Sequence, residues 1–409
     1  MNFNSTLGRA AVAAAAAAAL GAGMAGTWAA DSAPAVTDIR NVYSTTTADK
    51  VSPALAGDPE RVYVPNLRSG DVWVIDAATL KVVDKFKVGI GPQHIVPSWD
   101  LRTLWVANNA ERRNDGSLTP IDPRTGKPGK SIAVDDPYNL YFTPDGRSAI
   151  VVAEARRRLD FRDPRTMALQ YSIDTPRCGG INHADFAIDG RTAIFTCEFD
   201  GSIVRIDLMQ RRVLGYLKLE MPRTRLKETK VPLPPEDPNA LEICTTTKGM
   251  PQDIRISPDG RQYYVADMEA DGVHVIDGAA FKQVGFIATG LGAHGLYPSR
   301  DGRSLYVVNR GSHRVHNAPG GQGSITVLDF ATGAIQARWP IPGGGSPDMG
   351  NVSTDGSALW VSGRFDDVIY RIDTSTGQVS KAKAGLEPHG LTVWPQPGRY
   401  SVGHTGNLR

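Results

Sequence analysis

The segment Arg303-Ser304-Leu305-Tyr306-Val307-Val308-Asn309 decides the fold, because its pattern returns all along the chain. Arg261 to Asp267 reads RQYYVAD, Arg102 to Asn108 RTLWVAN, and Arg61 to Asn66 RVYVPN. Arg191 to Glu198 reads RTAIFTCE, Arg147 to Glu154 RSAIVVAE, and Ser357 to Gly363 SALWVSG. Each alternates apolar residues with the two-residue period of a strand. Most follow an Asp-Gly turn, as at Asp145-Gly146, Asp189-Gly190, Asp259-Gly260, Asp301-Gly302 and Asp355-Gly356, which is the strongest short-range signal of a hairpin. Downstream of each comes a second strand closing on Asp: DVWVID at Asp71 to Asp76, GSIVRID at Gly201 to Asp207, GVHVID at Gly272 to Asp277, GSITVLD at Gly323 to Asp329 and DVIYRID at Asp367 to Asp373.

Each unit therefore holds four short antiparallel strands, and seven units fill the chain from Arg61 onward. One such sheet cannot bury both of its faces alone, so the units must pack around an axis as blades. The pattern predicts an all-β, seven-bladed β-propeller over residues 61–397, preceded by an N-terminal extension at 31–60 and followed by a tail at 398–409. The first blade lacks an innermost strand before Arg61, while Pro388 to Trp394 supplies an unmatched one, so the N- and C-terminal strands are expected to close the ring together.

Composition agrees. Forty-three Gly and 28 Pro among 409 residues call for many turns, without the period of collagen. The formal charge of +2 gives no whole-molecule field that would draw the chain to nucleic acid. Residues 1–30 read as a signal peptide: a short polar start with Arg9, an apolar run from Ala10 to about Gly26, and small residues ending at Ala29 and Ala30, where cleavage is expected. No stretch of the mature chain is apolar enough to span a bilayer, so a periplasmic or secreted location is expected.

Three cysteines remain, Cys178, Cys197 and Cys244. No CxxCH is present, which excludes covalent haem attachment of the c type. Cys178 shortly precedes the inner strand of one blade, and Cys244 that of the next, within a long insertion at 220–249. The expectation is a Cys178–Cys244 disulfide with Cys197 free.

The LYVVN and LWVAN strands, the PDG turns and the GxVxVID strands resemble the YVTN-type β-propeller repeat family over about Arg61 to Trp394. The resemblance implies the propeller fold. Related propellers include exported repeat proteins, the haem-binding domain of dissimilatory nitrite reductases, the copper-binding domain of nitrous oxide reductases and bacterial sugar lactonases, so function must be argued from the site. This chain departs from the copper-binding relatives in having no paired His-His ligands, which puts a multi-copper cluster in doubt.

In a propeller the innermost strands start on one face beside the central channel. Counting back from each hairpin turn gives a ring of His94, Asn139, His183, Asp253, His294, Asp348 and His389. The second strands end on the same face and add Glu154, Glu198 and Asp267, which can serve as general acids or bases if mutual burial raises their pKa values. Loops at 110–115, 220–249 and 310–322, the last with His313 and His316, lie on that face too. His94, His183, His294 and His389 are candidate ligands for a transition metal or a haem-type tetrapyrrole; the competing reading is that each histidine caps its own blade. Three functional classes stand open: an exported protein binding a small molecule, cofactor or periplasmic protein partner at the channel mouth; a metal- or haem-dependent oxidoreductase; and a lactonase-like hydrolase.

Overall fold

A computed structural model describes Met1 and residues 38–111, 113–222, 248–316, 318–404 and 407–409. The signal peptide with its cleavage site, most of the 220–249 insertion, and Cys244 lie outside the described residues.

Seven antiparallel sheets follow one another along the chain, each numbered here as a blade in that order. Blade 1 contains Arg61–Asn66, Asp71–Asp76 and Val82–Lys87, and its innermost strand is Thr392–Trp394, paired with Arg61 to Tyr63. The ring is closed as the sequence predicts. The inner strands of blades 2 to 7 are Pro92–Pro97, Pro137–Phe142, Ile181–Phe186, Pro251–Ile256, Ala293–Pro298 and Pro347–Val352. Blade 2 splits its outer strand into Lys127–Pro128 and Ile132–Ala133, while the other blades keep four full strands. Among the described residues the only helical turns are the three-residue 3-10 segments Pro53–Leu55 and Glu198–Asp200, and no helix is long and apolar enough to cross a membrane.

The turns hold by a repeated local device. Ser257 Oγ donates to Asp259 Oδ1 (2.6 Å) and accepts from the N–H of Gln262 (2.9 Å), and Ser299 with Asp301 and Ser353 with Asp355 do the same. The Gly behind each Asp takes positive φ, 70° at Gly260 and 69° at Gly302, which an L side chain rarely adopts. The Asp closing the other hairpin is equally constrained: Asp329 accepts from Thr332 N (2.9 Å) and Thr332 Oγ1 (2.8 Å). The core lies between neighbouring blades. Val152, Phe161, Phe186, Phe195 and Val204 join blades 3 and 4, and Val308, Ile325, Met349, Val361 and Tyr370 join blades 6 and 7.

Three features were not expected. The disulfide joins Cys178 to Cys197, with their Cα atoms 4.8 Å apart, and not to Cys244. Cys197 ends the second strand of blade 4 opposite Ile181, and Cys178 lies in the approach to that same inner strand, so a local pairing within one blade wins over one across blades. The extension is seated as well: Tyr43 Oη donates to Ile256 O (2.7 Å) and its ring packs in the core of blades 5 and 6. The tail enters the channel. Ser401–Gly403 pairs with the inner strand of blade 3 at Tyr141, and Arg409 Nη2 meets Asp185 Oδ1 at 2.7 Å with both side chains buried.

Candidate functional site

All seven ring residues lie on the channel, none more than 2% exposed. They fall into two layers. At the mouth Asp348 is the hub: Arg310 Nη2 (2.7 Å), Arg310 Nε (3.1 Å) and His294 Nδ1 (3.0 Å) face Oδ1, and His389 Nδ1 lies 2.7 Å from Oδ2. Burial pushes the Asp348 carboxyl up, but Arg310 and the two imidazoles outweigh it and hold it well below the usual carboxylate range. His294 is lowered to about 4 by burial and by the Arg310 guanidinium. Arg310 also donates to His294 Nε2, which leaves the proton of this neutral ring on Nδ1, towards Asp348. His294 and His389 are thus committed to a carboxylate.

Deeper in the channel lie His94, Asn139, His183 and Asp253. The Asn139 side chain accepts from Leu140 N through Oδ1 (2.8 Å), which turns its NH2 towards His183 Nδ1 (3.2 Å) and His404 Nδ1 (3.3 Å). Asp253 takes Arg255 Nη1 at 2.7 Å. The four histidines proposed from sequence as one ligand set are therefore not equivalent: Asp348 holds His294 and His389, while His94, whose ring centroid is 4.7 Å from that of His389, and His183 have no such carboxylate bond.

The three acidic candidates also separate, because they do not hold the same position along their strands. In blades 2 and 6 the second strand ends in Asn, whose amide reaches back to a Thr in the third strand: Asn108 to Thr119 (3.0 Å) and Asn309 to Thr326 (3.1 Å). In blade 5 the Thr position is His274, and Asp267 bonds it (3.2 Å) while also accepting from Met250 N and Ala270 N. Asp267 is a hairpin cap, not part of the mouth. In blades 3 and 4 that strand-end position holds Ala153 and Cys197, paired with Arg158 and Ser202, and Glu154 and Glu198 come one residue later, where Arg310 and Arg364 stand in blades 6 and 7, so alternation along the chain gives them the other direction. Glu154 and Glu198 turn to the mouth instead and meet there. Burial, then the Glu198 charge, holds Glu154 well above the ordinary glutamate value. Burial raises Glu198 too, against hydrogen bonds from Gln252 and Asn182, the latter 2.8 Å long. Two carboxyls in this position keep a proton between them.

The remaining wall comes from loops. Arg364 Nε is 3.3 Å from Glu387 Oε1. His316 bridges Glu387 (3.0 Å) and Glu111 (3.1 Å), and those partners raise its pKa against the effect of burial. Glu154, Glu198, Arg310, His316, Arg364 and His389 surround a cavity of about 50 Å³. That volume takes a few waters or a very small polar molecule. A tetrapyrrole does not fit it, since pockets for ligands of even ordinary size run to about 300–1,000 Å³.

Sequence reading missed Arg310, Arg364, Glu111, Glu387 and His404 as site residues. Arg310 and Arg364 each follow the last residue of a second strand, so their repeat position carried a signal; His404 belongs to no repeat and had none.

Residues 237–397 match the model of the YNCE-like β-propeller family. Comparison with curated proteins returns no match. Among solved structures the chain is similar to a putative 6-phosphogluconolactonase from Bacteroides uniformis, at 15% identity and TM-score 0.61, covering 82% of this chain and 99% of that one. It is similar to the hydrazine synthase of Kuenenia stuttgartiensis at 19% identity and TM-score 0.54, covering 75% and 91%. It also resembles the dihydro-heme d1 dehydrogenase NirN at 15% identity and TM-score 0.55, covering 81% and 74%. Likeness at these identities shows the propeller and no more.

Proposed function

We propose that the protein is an exported propeller that binds a small polar molecule at the channel mouth. The observation carrying this reading is the buried Glu154–Glu198 pair, held above ordinary carboxylate pKa values in a cavity whose other wall is Arg310, Arg364 and His389. A carboxyl keeping its proton donates to a ligand oxygen or nitrogen, its partner accepts, and the guanidinium groups receive negative charge. Export rests on residues 1–30, and an N-terminus near Asp31 on the protein recovered from the periplasm or medium is the result it requires.

Calorimetric titration with small hydroxy acids, keto acids and neutral polyols tests the binding. At least one class binds wild type, and Glu198→Gln and Arg364→Met each weaken it by about tenfold or more, the loss of one charge-assisted hydrogen bond. A panel that binds both variants as tightly as wild type removes the mouth from consideration.

The raised carboxyl pair favours one second reading. A protonated glutamate beside an ionised one is the arrangement of a general acid and base, and one of the similar structures carries a lactonase name. Hydrolysis of simple lactones that is lost in both Glu154→Gln and Glu198→Gln supports this reading. Absence of turnover leaves a binding protein.

A further inference from the structure

We infer that the channel beneath the mouth is a site for one divalent transition-metal ion, held by His183 and His404 with the Asp253 carboxylate, and with His94 beside them. Ligand atoms of His183, Asp253 and His404 all lie within 4.8 Å of one another. Atoms sharing an ion through bonds of about 2.0–2.1 Å stand up to about 4.2 Å apart, so small side-chain rotations close the set. The His94 ring centroid lies 5.3 Å from that of His183 and 5.2 Å from that of His404, which are themselves 4.5 Å apart.

A second observation is independent of this spacing. All four side chains are fully buried. Both ring nitrogens of His94, Nε2 of His183 and Nε2 of His404 have no hydrogen-bond partner. Native interiors pair their buried polar atoms almost without exception, so unpaired nitrogens on three neighbouring rings, their centroids 4.5–5.3 Å apart, point to a ligand.

The chemistry also restricts the ion. Arg255 Nη1 already holds Asp253 Oδ1 at 2.7 Å, so the carboxylate is partly committed and its main part is to neutralise charge and to face His404 Nε2 at 3.5 Å. The imidazoles must then supply most of the affinity. That selects Cu(II), Ni(II) or Zn(II) over Mg(II) and Ca(II), which need oxygen ligands. The tail delivers His404 through Gly403, whose φ is +101° and where a Cβ would come within 2.4 Å of the Tyr141 Cα.

The experiment loads chelator-treated full-length protein with Cu(II), Ni(II), Zn(II) or Mg(II), removes free ion by gel filtration and counts what is retained. About one equivalent of Cu(II) and none of Mg(II) is expected, with imidazole nitrogen splitting in the Cu(II) EPR spectrum. His404→Ala and His183→Ala weaken retention at least about tenfold, while His313→Ala, on the Asp271 side of the 310–322 loop, does not. Glu198→Gln also retains the ion, which separates this site from the mouth. Wild type that retains no transition metal, a Cu(II) spectrum without nitrogen splitting, or retention unchanged by both histidine variants overturns the inference. The wild-type spectrum decides even where a variant fails to fold.

Discussion

Glu154 and Glu198 are set apart from Asp267 by one step along the second strand, which turns them into the mouth and makes their titration a property of that cavity. Both carboxyls have folded-state pKa values above the unfolded value of about 4.3. Such groups contribute stability below the unfolded value and lose it as pH rises through the folded one. Asp136, raised to about 6 by burial, and His316, raised by Glu111 and Glu387, act in the same direction, while Arg310 lies opposite. Wild type and Glu154→Gln share all of these except Glu154. The variant's melting temperature is therefore expected to gain on wild type steadily from pH 5 to pH 8, and a constant difference across that range removes the assigned shift. Much of this was readable. The ring of His94, Asn139, His183, Asp253, His294, Asp348 and His389 follows from strand period alone, because the register of one blade transfers to the next. What each ring residue does was not readable, since Asp348 draws in His294 and His389 together with Arg310, and His404, which joins His183, has no repeat position.

At the scale of the element, blade 4 departs most from its neighbours. Its second strand ends in Cys197, tied to Cys178, and the next residue is Glu198, which opens a 3-10 turn instead of running straight into the hairpin. The crosslink closes a loop of 19 residues beside the mouth. In the chain-entropy account such a loop is worth about 3 kcal/mol. Cys197→Ala is expected to lower unfolding stability by about 2–4 kcal/mol in urea titration, and reductant should lower wild type but not the variant. Peptide mapping without reductant should recover the Cys178 and Cys197 peptides joined; finding them separate refutes the pairing. Here the sequence misled for a physical reason. Cys178 and Cys244 stand at like positions in successive blades, which draws attention to the repeat, whereas Cys178 and Cys197 are neighbours across a single hairpin, where strand pairing brings Cα atoms together without any loop having to travel.

The whole molecule is held shut at two places. Thr392–Trp394 completes blade 1, and the segment after it crosses to blade 3, from which Arg409 reaches Asp185 and the carbonyl of Phe186 in blade 4. Removing one partner of a buried ion pair leaves the other charge without its counterion, so Arg409→Ala should cost about 3–5 kcal/mol, read as a shift of the urea midpoint; an unchanged midpoint means the pair is dispensable. Because every blade buries its faces on its neighbours, unfolding is expected to be one transition, with Trp fluorescence and backbone circular dichroism coinciding. The ring and its seam were legible from the unmatched strand at Pro388 to Trp394, yet the seating of the tail was not, since nothing in residues 398–409 repeats. The seam also has a meaning in time. Arg61–Asn66 is made early, and its partner Thr392–Trp394 about 330 residues later. At roughly 5–20 residues per second, the first hairpin stands with an open edge for something like 20–60 s, and that interval, more than any property of the finished ring, is when this chain is most exposed to pairing with the wrong strand.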